Sequence, residues 1–170
     1  MEELKYPIGR FSIKSDYSLE EIEGFKDKLR TFPKRFREAC KGISAAELKT
    51  AYRPDGWTAQ QVIHHVSDSH GNMLVRLKWS LTEERPKIKG YFEDRWATLA
   101  DYNLSHEISL DQLNVIHAKV MAIVDSLSFK ELEKGYLHPE DGNFYPIKGV
   151  LALYAWHGDH HIAHIDICRK

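Results

Sequence analysis

The chain has 170 residues, 42% hydrophobic and 29% charged, the balance of one soluble globular domain (1–170) able to bury its own core. A formal charge of −1 argues against a nucleic-acid partner, whose phosphates call for a basic surface, and no apolar run nears the roughly 20 residues that cross a bilayer, so neither partner is expected. Met1–Lys5 is acidic and polar with no apolar stretch behind it, and Cys40 and Cys168 read as reduced thiols, which together predict a cytoplasmic protein.

In chain order, residues 1–17 read as an N-terminal arm, extended through Tyr6-Pro7-Ile8-Gly9-Arg10-Phe11. Ser18-Leu19-Glu20-Glu21 forms a capping box, and Ile22, Phe25, Leu29, Phe32, Phe36, Ala39 and Ile43 recur at steps of three and four, predicting the first long helix. Pro33 predicts a kink or short break in it. The second helix begins at Thr58, with Gln61 as the reciprocal cap, and runs to about Leu81, before Pro86 forbids continuation. A short extra helix is expected around Asp94–Tyr102 in the connection between helices two and three. The third runs from Ser109, capped by Gln112, to about Leu127, on the stripe Leu113, Ile116, Val120, Ile123 and Leu127. The fourth opens near Pro146, a favoured first-turn residue, and carries Trp156-His157-Gly158-Asp159-His160-His161-Ile162-Ala163-His164. No segment alternates with period two over a useful length, so no sheet is expected and the class is all-α.

A faint internal repeat orders these elements. Ser44-x-x-Glu47-Leu48, Tyr52 and Asp55-Gly56 precede the second helix, as Ser128-x-x-Glu131-Leu132, Tyr136 and Asp141-Gly142 precede the fourth. The register holds through the tyrosine and then needs two inserted residues. Each half reads as a capped turn, an aromatic and a turn leading into a long helix. The second and fourth helices are then equivalent members of a four-helix bundle.

The histidines carry the chemistry. Residues four apart on a helix stand one above the other, so His160 and His164 can turn both rings onto one point. At 100° per residue, Val62, Val66, Ser69, Met73, Arg76 and Ser80 of the second helix share one direction within about 40°. His65 falls about 60° from Val62, at the edge of that arc, His64 about 160° away on the solvent side, and His70 on the flank. On the last helix His160 and His164 share an arc with Leu153, Trp156 and Ile167, with His157 flanking and His161 further round. Metal sites in bundles are built from facing helices in this way, which selects His65, His160 and His164 as three neutral nitrogen ligands with open positions left for water or substrate. The competing reading makes His65 a hydrogen-bonded core residue and the terminal histidines a solvated surface. His64, His70, His106, His117, His138, His157 and His161 are expected on the surface, on flanks or behind the ligands.

At these residues the chain resembles the DinB/YfiT-like superfamily, closest to its YfiT subgroup of metal-dependent hydrolases. The resemblance rests on Tyr6-Pro7-Ile8-Gly9, Gly56-Trp57-Thr58, His64-His65-Val66-x-Asp68-Ser69-His70, Leu81-Thr82-Glu83-Glu84-x-Pro86 and Trp156 through His164. It implies an up-down-down-up four-helix bundle, homodimerisation, and a divalent metal on the second histidine of the His-His pair and the i, i+4 pair of the last motif. Those positions are again His65, His160 and His164. Some related proteins are bacillithiol- or mycothiol-dependent transferases and isomerases, so the fold does not fix the reaction.

Two reactions on a small-molecule substrate follow. In the first, three neutral imidazoles leave the metal its full charge, and metal-bound water attacks an ester, amide or similar carbon. No general base is evident; Asp159 is a candidate for orienting a ligand ring or a plain surface charge. In the second, the metal holds a low-molecular-weight thiol as thiolate for transfer to an electrophile. Arg76, phased inward, would meet the thiol's carboxylates or else sit in a core ion pair, and Trp57 and Tyr154 would line the pocket or simply pack. A non-catalytic metal-binding bundle is the third reading. Zn²⁺ is the expected ion, with Ni²⁺ next; Fe²⁺ and Cu²⁺ also suit three histidines.

Overall fold

The computed structural model describes residues 2–170. Seven α-helices occur among them: α1 (Glu2–Lys5), α2 (Leu19–Cys40), α3 (Ala45–Leu48), α4 (Ala59–Thr82), α5 (Glu93–Trp96), α6 (His106–Val124) and α7 (Ile147–Cys168). The four long ones form the bundle. Ser18 and Thr58 cap α2 and α4, each accepting from the backbone N–H three residues on, while Glu21 and Gln61 reach back to the cap. The arm is not extended where expected: Glu2–Lys5 makes one helical turn, and a turn follows in which Gly9 N–H donates to the Tyr6 carbonyl at 2.9 Å with Gly9 at φ +81°, so the extended stretch begins only after Gly9.

The helix α2 runs unbroken through Pro33. Phe32 and Phe36 are buried on either side of it, so core packing holds the backbone helical although one intrahelical hydrogen bond is missing. The helix α6 starts three residues earlier than its sequence suggests, capped by Ser105. Ser109 cannot serve as cap because it is buried, with its Oγ 2.7 Å from His64 Nδ1.

The expectation of no sheet is corrected by one antiparallel pair, β1 (Gly135–Leu137) with β2 (Phe144–Pro146). Three-residue strands are too short to show a period of two in sequence. The pair belongs to the internal repeat. Ala51 bridges Thr58 just as Gly135 pairs with Pro146, and these partners immediately precede α4 and α7. The first helical N–H of each donates back to the same place in its half, Ala59 N to Thr50 O at 3.0 Å and Ile147 N to Lys134 O at 2.7 Å. Ser44–Glu47 and Ser128–Glu131 make the same reciprocal pair of hydrogen bonds.

Two hydrophobic clusters fix the helix directions. One joins Phe36 and Cys40 at the end of α2, Ala59 and Val62 at the start of α4, Leu110 and Leu113 at the start of α6, and Ile165 and Cys168 at the end of α7. The other joins the opposite ends, from Ile22 and Leu29 to Met73 and Leu77, Val120 and Val124, and Val150 and Leu151. The order is therefore up-down-down-up. The helices α2 and α4 lie diagonally, each packed against both α6 and α7. No helix among the described residues is long and apolar enough to cross a membrane.

Candidate metal centre

The last three turns of α7 meet α4 under a cover made by the N-terminal arm and the segment before α4. Tyr52 stacks on His164 with ring centroids 3.9 Å apart, Trp156 stacks on His160 at 4.5 Å, and the Tyr6 ring lies 6.0 Å from His160. The His164 Nε2–H donates to the Leu4 carbonyl at 3.2 Å. His160 and His164 are thus buried beneath the cover rather than by the bundle centre. The central direction of α7 belongs to Leu151, Gly158, His161 and Ile165, all buried. His161, expected further round, is as buried as His160 because α7 is covered on two sides.

On α4, His65 is buried with the Trp57 ring tilted over it at 4.5 Å. His64 does not face solvent. Its Nε2–H donates to the Leu104 carbonyl at 3.2 Å and its Nδ1 accepts from Ser109 Oγ at 2.7 Å. The connection through residues 100–104 and the start of α6 wrap that side of the helix, which phase alone does not register. His70 and His117 are likewise core residues, with 0% and 2% exposure.

A pocket of about 310 Å³ is lined by His65, His160, His161 and His164 together with Tyr6 and Tyr52. The ring nitrogens of His160, His161 and His164 fall within 4.8 Å of one another, as do those of His65, His157 and His161. Burial, and then the neighbouring histidines, hold these rings neutral. His65 is pushed down to about 4 by burial and then by His160 and His164, and His160 to about 4 by burial and then His164. Burial brings His164 to about 4 against the pull of the arm's carbonyls, and drives His157 and His161 well below the ordinary histidine value. Neutral imidazole is the metal-binding form. Two of the buried nitrogens, His65 Nδ1 and His160 Nδ1, have no hydrogen-bond partner. An all-nitrogen, uncharged donor set with orphaned buried atoms fits a divalent transition metal.

The remaining candidates lie in different places. Trp57 is on the pocket wall, its Nε1–H donating to Asp94 Oδ1 at 3.1 Å. Asp159 binds Lys28 Nζ and Arg35 Nη1, each at 2.7 Å, in an ion-pair cluster that ties α7 to α2. Tyr154 donates to the Ser69 carbonyl at 3.1 Å and meets the edge of His70. Arg76 is buried with its guanidinium 5.9 Å from the rings of Tyr91 and Tyr136, and it does not line the pocket. Sequence reasoning missed the carboxylates of Asp55, Glu93 and Asp94 on the pocket wall, with Lys5 and Arg53 beside them. They come from turns and a four-residue helix, where no periodicity marks a direction. The one signal was that a short helix was expected to begin at Asp94.

A sequence profile described as the DinB superfamily matches residues 28–165. A "Putative metal-dependent hydrolase" of Bacillus cereus (strain 03BB102) is 41% identical over 170 residues, covering 100% of this chain and 98% of that protein. One of the same description from Bacillus thuringiensis subsp. konkukian (strain 97-27) is equally similar, at 41% over the same shares. YfiT from Bacillus subtilis, described as "a probable metal-dependent hydrolase with an unusual four-helix bundle topology", superposes with a TM-score of 0.94 at 36% identity, covering 98% of this chain and 97% of its own. A mycothiol-dependent maleylpyruvate isomerase shares the fold at a TM-score of 0.70 and 15% identity, over 88% of this chain and 63% of its own.

Proposed function

We propose that this chain, which belongs to the DinB superfamily, is a metal-dependent hydrolase holding one divalent ion on His65, His160 and His164, with Zn²⁺ the first candidate and Ni²⁺ the second. The observation that carries this reading is the pair of buried, unpartnered nitrogens, His65 Nδ1 and His160 Nδ1, on one wall of neutral imidazoles. A buried polar atom left without a partner costs about 1–3 kcal/mol, a cost that a ligand removes. The names of the Bacillus relatives support the same reading. A divalent ion bound there supplies Lewis acidity, polarising a substrate oxygen and lowering the pKa of water toward about 7.

The chain's own residues supply position and proton transfer. Trp57 covers His65 with its ring and holds Asp94 with its N–H, so Asp94 is the carboxylate best fixed on the wall to accept a proton. No nucleophile comes from the protein's thiols. Burial raises Cys40 to about 12 and Cys168 to about 11, so neither forms thiolate near neutral pH. The thiol-transfer alternative therefore needs an added low-molecular-weight thiol.

That difference is the test. Metal-loaded protein should turn over activated esters or amides without thiol, whereas consumption of an electrophile only with added thiol would assign S-transfer instead. Asp94→Asn should lower kcat by about 100-fold while leaving the metal content unchanged. An unaltered kcat removes Asp94 from proton transfer.

A further inference from the structure

Two chains of histidines run through the interior, each tied at one end to a main-chain carbonyl. A carbonyl only accepts, so it fixes the polarity of everything bonded behind it. In the first chain His117 Nδ1–H donates to the Leu29 carbonyl at 2.8 Å, which leaves its Nε2 as an acceptor. His70 Nδ1–H donates to that Nε2 at 2.7 Å, and His157 Nδ1–H donates to His70 Nε2 at 3.3 Å. The nitrogen left over is His157 Nε2, a lone pair.

The second chain has the same logic. His164 Nε2–H donates to the Leu4 carbonyl at 3.2 Å, so its Nδ1 accepts from His161 Nδ1–H at 3.2 Å. The nitrogen left over is His161 Nε2. Both chains end beside His65, whose ring centroid is 5.5 Å from that of His157 and 5.0 Å from that of His161. Phe32 stacks on His70 at 4.9 Å and packs on His117 at 5.3 Å, clamping the first chain.

We propose that His65, His157 and His161 form an inner metal position, separate from the His65/His160/His164 set and exclusive with it because both use His65. Their nitrogens already lie within 4.8 Å of one another. Ligand nitrogens of a tetrahedral site at 2.0–2.1 Å stand about 3.3 Å apart, so the rings need close by no more than about 1.5 Å. The ligands are uncharged nitrogens, which suits Zn²⁺, Co²⁺, Ni²⁺ or Cu²⁺ and disfavours Mg²⁺ and Ca²⁺. His117 and His70 are positioning residues, fixing which nitrogen His157 presents. This rests on the metal-binding part of the functional reading and is independent of hydrolysis.

The test is titration of Co²⁺ into chelator-stripped protein, followed by visible absorption. The double variant His160→Ala/His164→Ala should still bind near one Co²⁺ per chain, and adding His157→Ala should weaken that binding at least about tenfold. A double variant that binds no Co²⁺ while the wild type binds one overturns the inner position and leaves the outer set standing. A double variant indistinguishable from wild type and dependent on His157 supports the inner position and removes His160 and His164 as ligands. Should the variants fail to fold, two-bond ¹H–¹⁵N correlation on metal-free wild type reads the tautomers directly. Unprotonated Nε2 on His157 and His161 is expected, and an Nε2–H form of His157 overturns the proposal.

Discussion

His117 has both ring nitrogens engaged inside the core, one donating to a backbone carbonyl and the other accepting from His70. Burial lowers it to about 4, against an ordinary value of about 6.5 in the unfolded chain. Between those values the unfolded state binds the proton and the folded state does not. The stability due to a neutral His117 is therefore complete above about pH 6.5 and is lost as pH falls through the folded value. His70, pushed down by burial first and then by His117, acts in the same direction. The urea midpoint of chelator-treated protein should fall from pH 7.5 to pH 5, by up to about 1.4 kcal/mol of stability per pH unit for each such histidine; a flat midpoint contradicts this account. Single residues were legible where helix phase alone decided burial, as at His65. They were illegible where a loop supplied the burial, as at His64 under Leu104 and His164 under Leu4.

The elements were more legible than the residues, because caps and periodicity are local. Both capping boxes before the long helices appear in place, and so does the repeated Ser-x-x-Glu turn. The three-residue strands and the early start of α6 depend on tertiary partners and left no local mark. Helix contact also sets one glycine. A Cβ on Gly158 would lie 2.7 Å from the buried Phe32 ring, in the middle of the histidine motif, so α7 approaches α2 there closely. Gly24, exposed on α2, would meet nothing within 4 Å. Gly158→Ala should destabilise by about 1–3 kcal/mol through overpacking, and Gly24→Ala should stabilise by about 0.5–1 kcal/mol. Thermal melts of the two variants check the opposite signs.

At the scale of the molecule, the duplicated entry into α4 and α7 brings the N-terminal end of one helix beside the C-terminal end of the other. His65 comes from the early turns of α4 and the other histidines from the late turns of α7, so the up-down-down-up order is what lets them meet. The arm completes the assembly by covering His160 and His164 and lining the pocket with Lys5 and Tyr6. Bundle, arm and loops together bury the imidazoles and keep them neutral. The central claim is that this assembly holds metal through His65. Metal per chain, measured by plasma mass spectrometry on protein loaded with Zn²⁺ and then dialysed, tests it most directly. Near one equivalent is expected for the wild type and for His64→Gln, falling below about a tenth for His65→Ala. A wild type near zero, or equal loss in both variants, would contradict it.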